Sequence, residues 1–265
     1  MRLHLHLSTD DEFIAVDHNY LVGAAIYKFL QLGSPRFASF LHDIGFNLNG
    51  KSYKLFSFAL HFGKIKFQEQ TIRLLSSNCD LFISSPLIDE FIQNFVIGSL
   101  YSQKIVLSDG SIKTTFNITQ LDSLPDVSFQ PISKFKLLSP LVLSTHKEDK
   151  EKPSQYFLRY NDDPEKINKC FNQNLKNKFK LLHSQDYSGE DLILKWDESY
   201  INKKLSENKR LTKKISIAKP GILPVEIIAN EVPFELSGST ELMKVGYECG
   251  YGEKNSMGFG MGQVI

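Results

Sequence analysis

His42 closes the short apolar segment "RFASFLHD", just before Gly45, where a side chain is held and still reachable. An imidazole with an ordinary pKa near 6.5 can give or take a proton at neutral pH. Taken alone, such a histidine is more often a surface residue than a catalyst. His4 and His6 alternate in "RLHLHL" and share one strand face, as a metal-pinching pair would. No third ligand stands at useful spacing, so the expectation is a polar strand face and no metal. Gly45 to Ser52 reads "GFNLNGKS", which satisfies the phosphate-loop pattern G-x-x-x-x-G-K-[ST]. That motif works only with a strand leading in and a helix leading out, because the helix amino terminus completes the phosphate cradle. Here the order is reversed and no apolar strand ends in a magnesium-binding Asp. Nucleotide hydrolysis is set aside, and no cofactor is expected.

Two further groups stand out. Between Ile201 and Gly221, Lys203, Lys204, Lys209, Arg210, Lys213, Lys214 and Lys219 face a single acid, Glu207. With a net charge of +1 for the whole chain, this run over an expected hairpin fits a solvated face and a phosphate-binding stripe equally well. The stretch "GYECGYGEKNSMGFGMG", Gly246 to Gly262, is dense in glycine. Glycine in a regular element costs about 0.5–1 kcal/mol relative to Ala, so this density serves the backbone. Either positive φ is needed, or a bulky ligand comes close to the main chain.

The elements that must position these residues follow from periodicity. "MRLHLHL" alternates Leu3, Leu5 and Leu7 against Arg2, His4 and His6, a half-buried strand. "NYLVGAAIYKFLQLG" has helical spacing and ends at Gly33 as a C-cap, and Ser34-Pro35 opens a second short helix. "KLFSFALHFGKIKF" and "CDLFISS" read as strands, "PLIDEFIQNFVIGSLY" as a helix, and "QKIVLSDGSIKTTFNI" as a hairpin turning at Asp109-Gly110. This is the β-α-β-β-α-β order of a ferredoxin-like domain. "QLDSLPDVSFQP" lacks periodicity and reads as a linker. Beyond it the plan recurs: strand "FKLLSPLVLST", amphipathic helix "DPEKINKCFNQNLKNKFKLL", strands "DLILKW", "KKISIA" and "IIANEVPFEL", helix "STELMKVGYECG" and a last strand in "GFGMGQVI". The expected fold is α+β: two tandem ferredoxin-like (RRM-like) domains, residues 1–122 and 132–265, joined by a linker at 123–131, with a glycine-rich loop near the carboxy end.

The 265 residues, 42% hydrophobic and 12% aromatic, suffice for two such cores. Three scattered cysteines without a CxxC pair argue against a disulfide framework and for a reducing, cytoplasmic setting. The amino terminus turns polar too soon for a signal peptide, and no apolar run approaches about 18 residues, so no membrane partner is expected.

Gly250-Tyr251-Gly252 and Gly258-Phe259-Gly260, with Lys254 between them, resemble the glycine-rich loop of the Cas-six family, the CRISPR repeat-processing endoribonucleases. "AIYKFL", "FLHDIGF", "KLFSFAL" and "LLSPLVL" fall in that family's order, so the resemblance covers nearly the whole chain. It implies paired ferredoxin-like domains that bind CRISPR repeat RNA and cut precursor CRISPR RNA without metal. The 2′-hydroxyl attacks the adjacent phosphate, leaving 2′,3′-cyclic phosphate and 5′-hydroxyl ends. It also implies His42 as the catalytic histidine, Tyr27 as its partner and Lys54 as the catalytic lysine, with Lys51 competing for that role. Gly250, Gly252, Lys254, Gly258 and Gly260 would lie against RNA, phosphates reaching the glycine N–H groups. The basic residues Lys209, Arg210, Lys213 and Lys214 would add phosphate contacts. A non-catalytic RNA-binding subunit of a CRISPR effector complex is the alternative, and a homodimer is left open.

Overall fold

The structure, a computed structural model, describes residues 1–147, 154–219 and 222–265. The chain forms two compact units. One holds Met1–Asp126 with Ser256–Gly258, the other Val127–Asn255 with Phe259–Ile265.

In chain order the first unit contains β1 (Arg2–Ser8), β2 (Phe13–Ala15), α1 (His18–Gly33), α2 (Pro35–Ser39) running into a π-helical turn at Phe40–Ile44, β3 (Phe46–Leu48), β4 (Lys51–Tyr53), β5 (Ser57–Phe62), β6 (Ile65–Gln68), β7 (Thr71–Leu74), β8 (Asn78–Ser84), α3 (Asn94–Ser102), β9 (Lys104–Ser108) and β10 (Lys113–Leu124). The main sheet runs β5-β8-β1-β10-β9, antiparallel throughout. Its strands β1, β5, β8 and β10 take the fourth-first-third-second order of a ferredoxin-like fold. Alternation decides which face is buried: Leu3, Leu5 and Leu7 pack with Val22, Ile26, Phe29 and Leu30 of α1 and Phe95 of α3. His4 and His6 take the other face.

Gly33 does not cap α1 by a left-handed turn. Ser34 caps it in an extended conformation, its N–H donating to the Leu30 carbonyl at 2.7 Å. Gly33 instead meets α3, where a Cβ would collide with the Asn94 carbonyl, and Gly98 meets Phe29 of α1 in the same way. Ser34 also opens α2, accepting from the Phe37 N–H, with Pro35 at the first helical position as expected.

"GFNLNGKS" folds as the β3–β4 hairpin. Asn49 (φ 51°) and Gly50 (φ 73°) form its two-residue turn, both with the positive φ that a type I′ turn requires. Lys51 therefore lies in a strand. Lys54 does not open a strand: it precedes Leu55, whose φ is 52°, and β5 starts only at Ser57.

The second unit contains β11 (Ile132–Leu137), β12 (Ser144–Lys147), β13 (Ser154–Phe157), α4 (Pro164–His183), β14 (Ile193–Trp196), α5 (Glu198–Ser206), β15 (Thr212–Lys219), β16 (Ile222–Asn230), β17 (Phe234–Ser237), α6 (Thr240–Cys249) and β18 (Gly262–Val264). Its sheet runs β14-β17-β11-β18. In chain order β11, β14, β17, β18, this repeats the fourth-first-third-second plan. Both units are ferredoxin-like. "FKLLSPLVLST" and "IIANEVPFEL" each break where a single strand was expected, near Pro140 and Pro233. β10 runs to Leu124, and the units divide between Asp126 and Val127, inside the stretch read as a linker. Among the described residues, no helix is long and apolar enough to cross a membrane.

Candidate active site

The π-helical turn after α2 sets the geometry around His42. The Gly45 N–H donates to the Phe40 carbonyl, five residues back, at 2.8 Å. Widened turns of this kind collect at functional sites. His42 Nδ1 is 2.8 Å from Asp43 Oδ1, and the imidazole is 68% exposed, so its other nitrogen is open to a ligand. The Tyr27 ring, on α1, meets the imidazole edge to face at 5.2 Å and 87°, and meets Phe56 at 5.9 Å. Burial pushes the Tyr27 phenol well above its ordinary range, so it stays a protonated donor.

Lys54 Nζ donates to the His42 carbonyl at 2.9 Å, which ties the lysine to the turn that carries the histidine. Burial lowers the Lys54 pKa, and the Asp43 carboxylate opposes it. Gly45 makes this approach possible. It holds φ +67°, and a Cβ there would stand 2.8 Å from Lys54 Nζ, from Ser52 Oγ and from the Tyr53 carbonyl. Ser52 Oγ in turn donates to the Ile44 carbonyl at 2.6 Å. Tyr27, His42 and Lys54 thus come together from α1, the π turn and the β4–β5 connection. Asp43 was not anticipated; adjacency to His42 was its only signal.

The glycine loop is built differently from the expectation. Gly250, Gly252, Gly258 and Gly260 all hold positive φ, between 67° and 88°. All four are buried. Gly252 shows why: a Cβ would collide with the Val142 carbonyl oxygen. The loop is laced by main-chain bonds, to itself from Tyr251 N–H to the Gly260 carbonyl at 2.7 Å and to the segment after β11 from Gly260 N–H to the Pro140 carbonyl at 2.8 Å. Tyr251 is its anchor, fully buried, stacked on Phe171 at 5.8 Å and donating from its hydroxyl to the Met243 carbonyl at 3.0 Å. The close approach is that of the chain to itself. The half-buried Lys254 keeps a place at the loop's surface.

Beneath the loop lies a residue that sequence reasoning missed. Lys178, on the buried face of α4, donates to the carbonyls of Gly250 and Gly252 at 2.7 Å each and to Asn255 Oδ1 at 2.8 Å. Burial lowers its pKa to about 8. Its signal was position: with Ile167, Phe171 and Leu175, it falls on the apolar stripe of the helix.

The basic run does not form one face. Lys203 and Lys204 belong to α5, Lys209 and Arg210 to the turn after it, and Lys213 and Lys214 to β15. Adjacent strand residues point to opposite faces, so Lys213 and Lys214 diverge. Lys209 pairs with Glu207 at 2.8 Å and Lys214 with Glu226 at 2.6 Å. The side chain of Lys219 lies outside the described residues.

Two family profiles match the chain: "CRISPR-associated protein Cas6, N-terminal" over residues 13–116 and "CRISPR associated protein Cas6, C-terminal" over residues 124–264. The chain belongs to the Cas6 family. A Methanocaldococcus jannaschii protein named "CRISPR-associated endoribonuclease Cas6 1" is 30% identical over 263 residues, covering 98% of this chain and 91% of the relative. A Pyrococcus furiosus protein named "CRISPR-associated endoribonuclease Cas6" is 25% identical over 95% of this chain and 83% of its own length. A solved structure described as "CRISPR associated protein Cas6" superposes with a TM-score of 0.74 at 29% identity, covering 100% of this chain and 99% of that one. Membership in the Cas6 family and the tandem fold agree with the resemblance carried by the glycine loop.

Proposed function

We propose that this chain is an endoribonuclease that binds CRISPR repeat RNA and cuts precursor CRISPR RNA without a metal ion. The observation that carries this reading is the meeting of Tyr27, His42 and Lys54 in one cluster. RNA brings its own nucleophile: the 2′-hydroxyl attacks the adjacent phosphorus, the bond to the 5′-oxygen breaks, and a 2′,3′-cyclic phosphate and a 5′-hydroxyl result. What the protein must supply is alignment, proton transfer and charge stabilisation.

With its Nδ1 proton directed at Asp43, neutral His42 offers the Nε2 lone pair to a proton; once charged, the same nitrogen can donate it. Tyr27, held in the protonated form by burial, packs against the ring and keeps it in place. Lys54, tethered at the His42 carbonyl, brings a cation to the same turn, suited to the charge that gathers on the phosphoryl oxygens. Lys254, at the surface of the glycine loop, and the basic side chains Lys209, Arg210, Lys213 and Lys214 supply the phosphate contacts in this reading.

The test is single-turnover cleavage of repeat RNA in excess EDTA. Wild-type protein should cut, and His42→Ala should lose about 10²–10⁴-fold in rate with little change in affinity. A single 2′-deoxy substitution upstream of the cut should block reaction and spare binding. Cleavage abolished by EDTA and restored by magnesium would overturn the mechanism. Tight binding with no cleavage would instead identify a non-catalytic RNA-binding subunit.

A further inference from the structure

We propose that His4, His6 and Asp80 form a site for one divalent transition-metal ion of zinc type, stapling β1 to β8 on the sheet face opposite α1 and α3. The third ligand missing from the sequence pattern is delivered by strand register. Pairing of β1 with β8 sets Asp80 opposite His6 and Phe82 opposite His4. His4 Nε2 then lies 2.7 Å from Asp80 Oδ1, and His6 Nδ1 lies 3.4 Å from the same oxygen. The three ligand groups converge within 4.8 Å of one another. Zinc bonds of about 2.0–2.2 Å put tetrahedral ligand atoms roughly 3.3 Å apart, so the His6–Asp80 spacing already fits and the His4–Asp80 pair has to open.

The surroundings favour a metal over a plain ion pair. His6 uses its second nitrogen as well: Nε2 is 3.1 Å from Asp122 Oδ2, on β10. Asp122 is itself held, Gln120 Nε2 donating to both of its oxygens at 2.9 Å. A carboxylate behind a histidine fixes the proton on that nitrogen and turns the other lone pair toward the metal. His4 is locked by stacking on Phe82, with centroids 4.3 Å apart and 16° between the planes. The ligands stand on strands, which keep geometry better than loops do. Asp80 is 45% exposed, so an ion has a way in and water can fill a remaining coordination position. The cleavage residues proposed above come from other elements, so the ion would brace the sheet rather than take part in the chemistry.

The experiment uses the full chain, stripped with chelator and titrated with Co²⁺ as a spectroscopic reporter. One equivalent should produce visible ligand-field absorption that one equivalent of Zn²⁺ abolishes. Zn²⁺ should raise the melting temperature, as any ligand selective for the folded state does. His4→Gln and Asp80→Asn should each abolish the band, while Asp122→Asn, which leaves all three ligands in place, should weaken binding about 10–100-fold. Circular dichroism of each variant establishes that it folds. Absence of the band in folded wild-type protein would overturn the proposal. So would uptake that is unchanged in the folded His4→Gln variant, which would mark adventitious binding elsewhere.

Discussion

Replacing Lys178 by Met asks whether a buried cation holds the glycine loop in shape. Lys178 is 2% exposed, and its ammonium group serves three acceptors of the loop. Burial moves its pKa from 10.5 to about 8, with Cys249 and Glu253 opposing. At about 1.4 kcal/mol per tenfold change in proton affinity, the fold disfavours the charged form by roughly 3 kcal/mol. Methionine removes that cost but leaves three buried acceptors unpaired, at about 1–3 kcal/mol each. The loss outweighs the relief. We expect a net destabilisation of about 3 kcal/mol, or a fall in melting temperature of roughly 6–12 °C for a chain of this size.

The pH dependence has a definite sign. Because the folded pKa lies below the unfolded one, the unfolded chain binds more protons between about pH 8 and 10.5. Wild-type stability therefore gains from this group as pH rises through that window, and the Met variant does not. The gap between the two proteins should widen from pH 7 to the alkaline side. Thermal and denaturant melts of both proteins across that range provide the measurement. A variant that melts within a degree or two of wild type at pH 7, or a gap that closes with pH, would refute the clamp.

Lys54→Ala should slow single-turnover cleavage more than tenfold at saturating protein, whereas Lys51→Ala should mainly weaken binding; a larger rate loss at Lys51 would exchange the two roles. Gly45→Ala should cost about 1–2 kcal/mol for a side chain at positive φ, read from melts, and should also lower the cleavage rate by displacing Lys54. Neutralising Lys209, Arg210, Lys213 and Lys214 should flatten the slope of log K against log salt by up to about 0.7 per lost contact on single-stranded RNA. The smaller shares should come from Lys209 and Lys214, which already pair with Glu207 and Glu226.

Element order was legible because alternation and helical spacing are local signals, and a helix such as α4 buries what its pattern says it should. The errors lie where local pattern and tertiary need part company. Gly33 looks like a cap because glycine after an apolar helix usually is one; here a helix crossing needs the space. Lys54 looks like the start of "KLFSFAL", but the Asn49-Gly50 turn draws Lys51–Tyr53 into a hairpin, and Leu55 at positive φ separates it from β5. Lys178 stays hidden because a lysine is expected to face solvent, and its acceptors lie more than 70 residues further on. Asp80 joins His4 and His6 only through register, which no local spacing encodes.

The glycine loop posed two alternatives, positive φ or the approach of a ligand, and its geometry joins the first to a variant of the second. At Gly252 and Gly260 positive φ folds the segment back so tightly that the nearest neighbours are the carbonyls of Val142 and Tyr251, and the Gly260 N–H meets the Pro140 carbonyl. A Gly260 N–H already given to Pro140 is not available to a phosphate. Lys254 is the telling residue, because a lysine at φ 59° carries a strain of about 1–2 kcal/mol that glycine would not. Such strain persists where the surroundings over-determine the conformation. The residues around Lys254 are fixed in just this way, the Gly252 carbonyl and the Asn255 side chain both being held by Lys178. Glycine would be the cheaper residue at 254 for the backbone alone. Its place is taken by a cation, as the proposed contact of this loop with RNA requires.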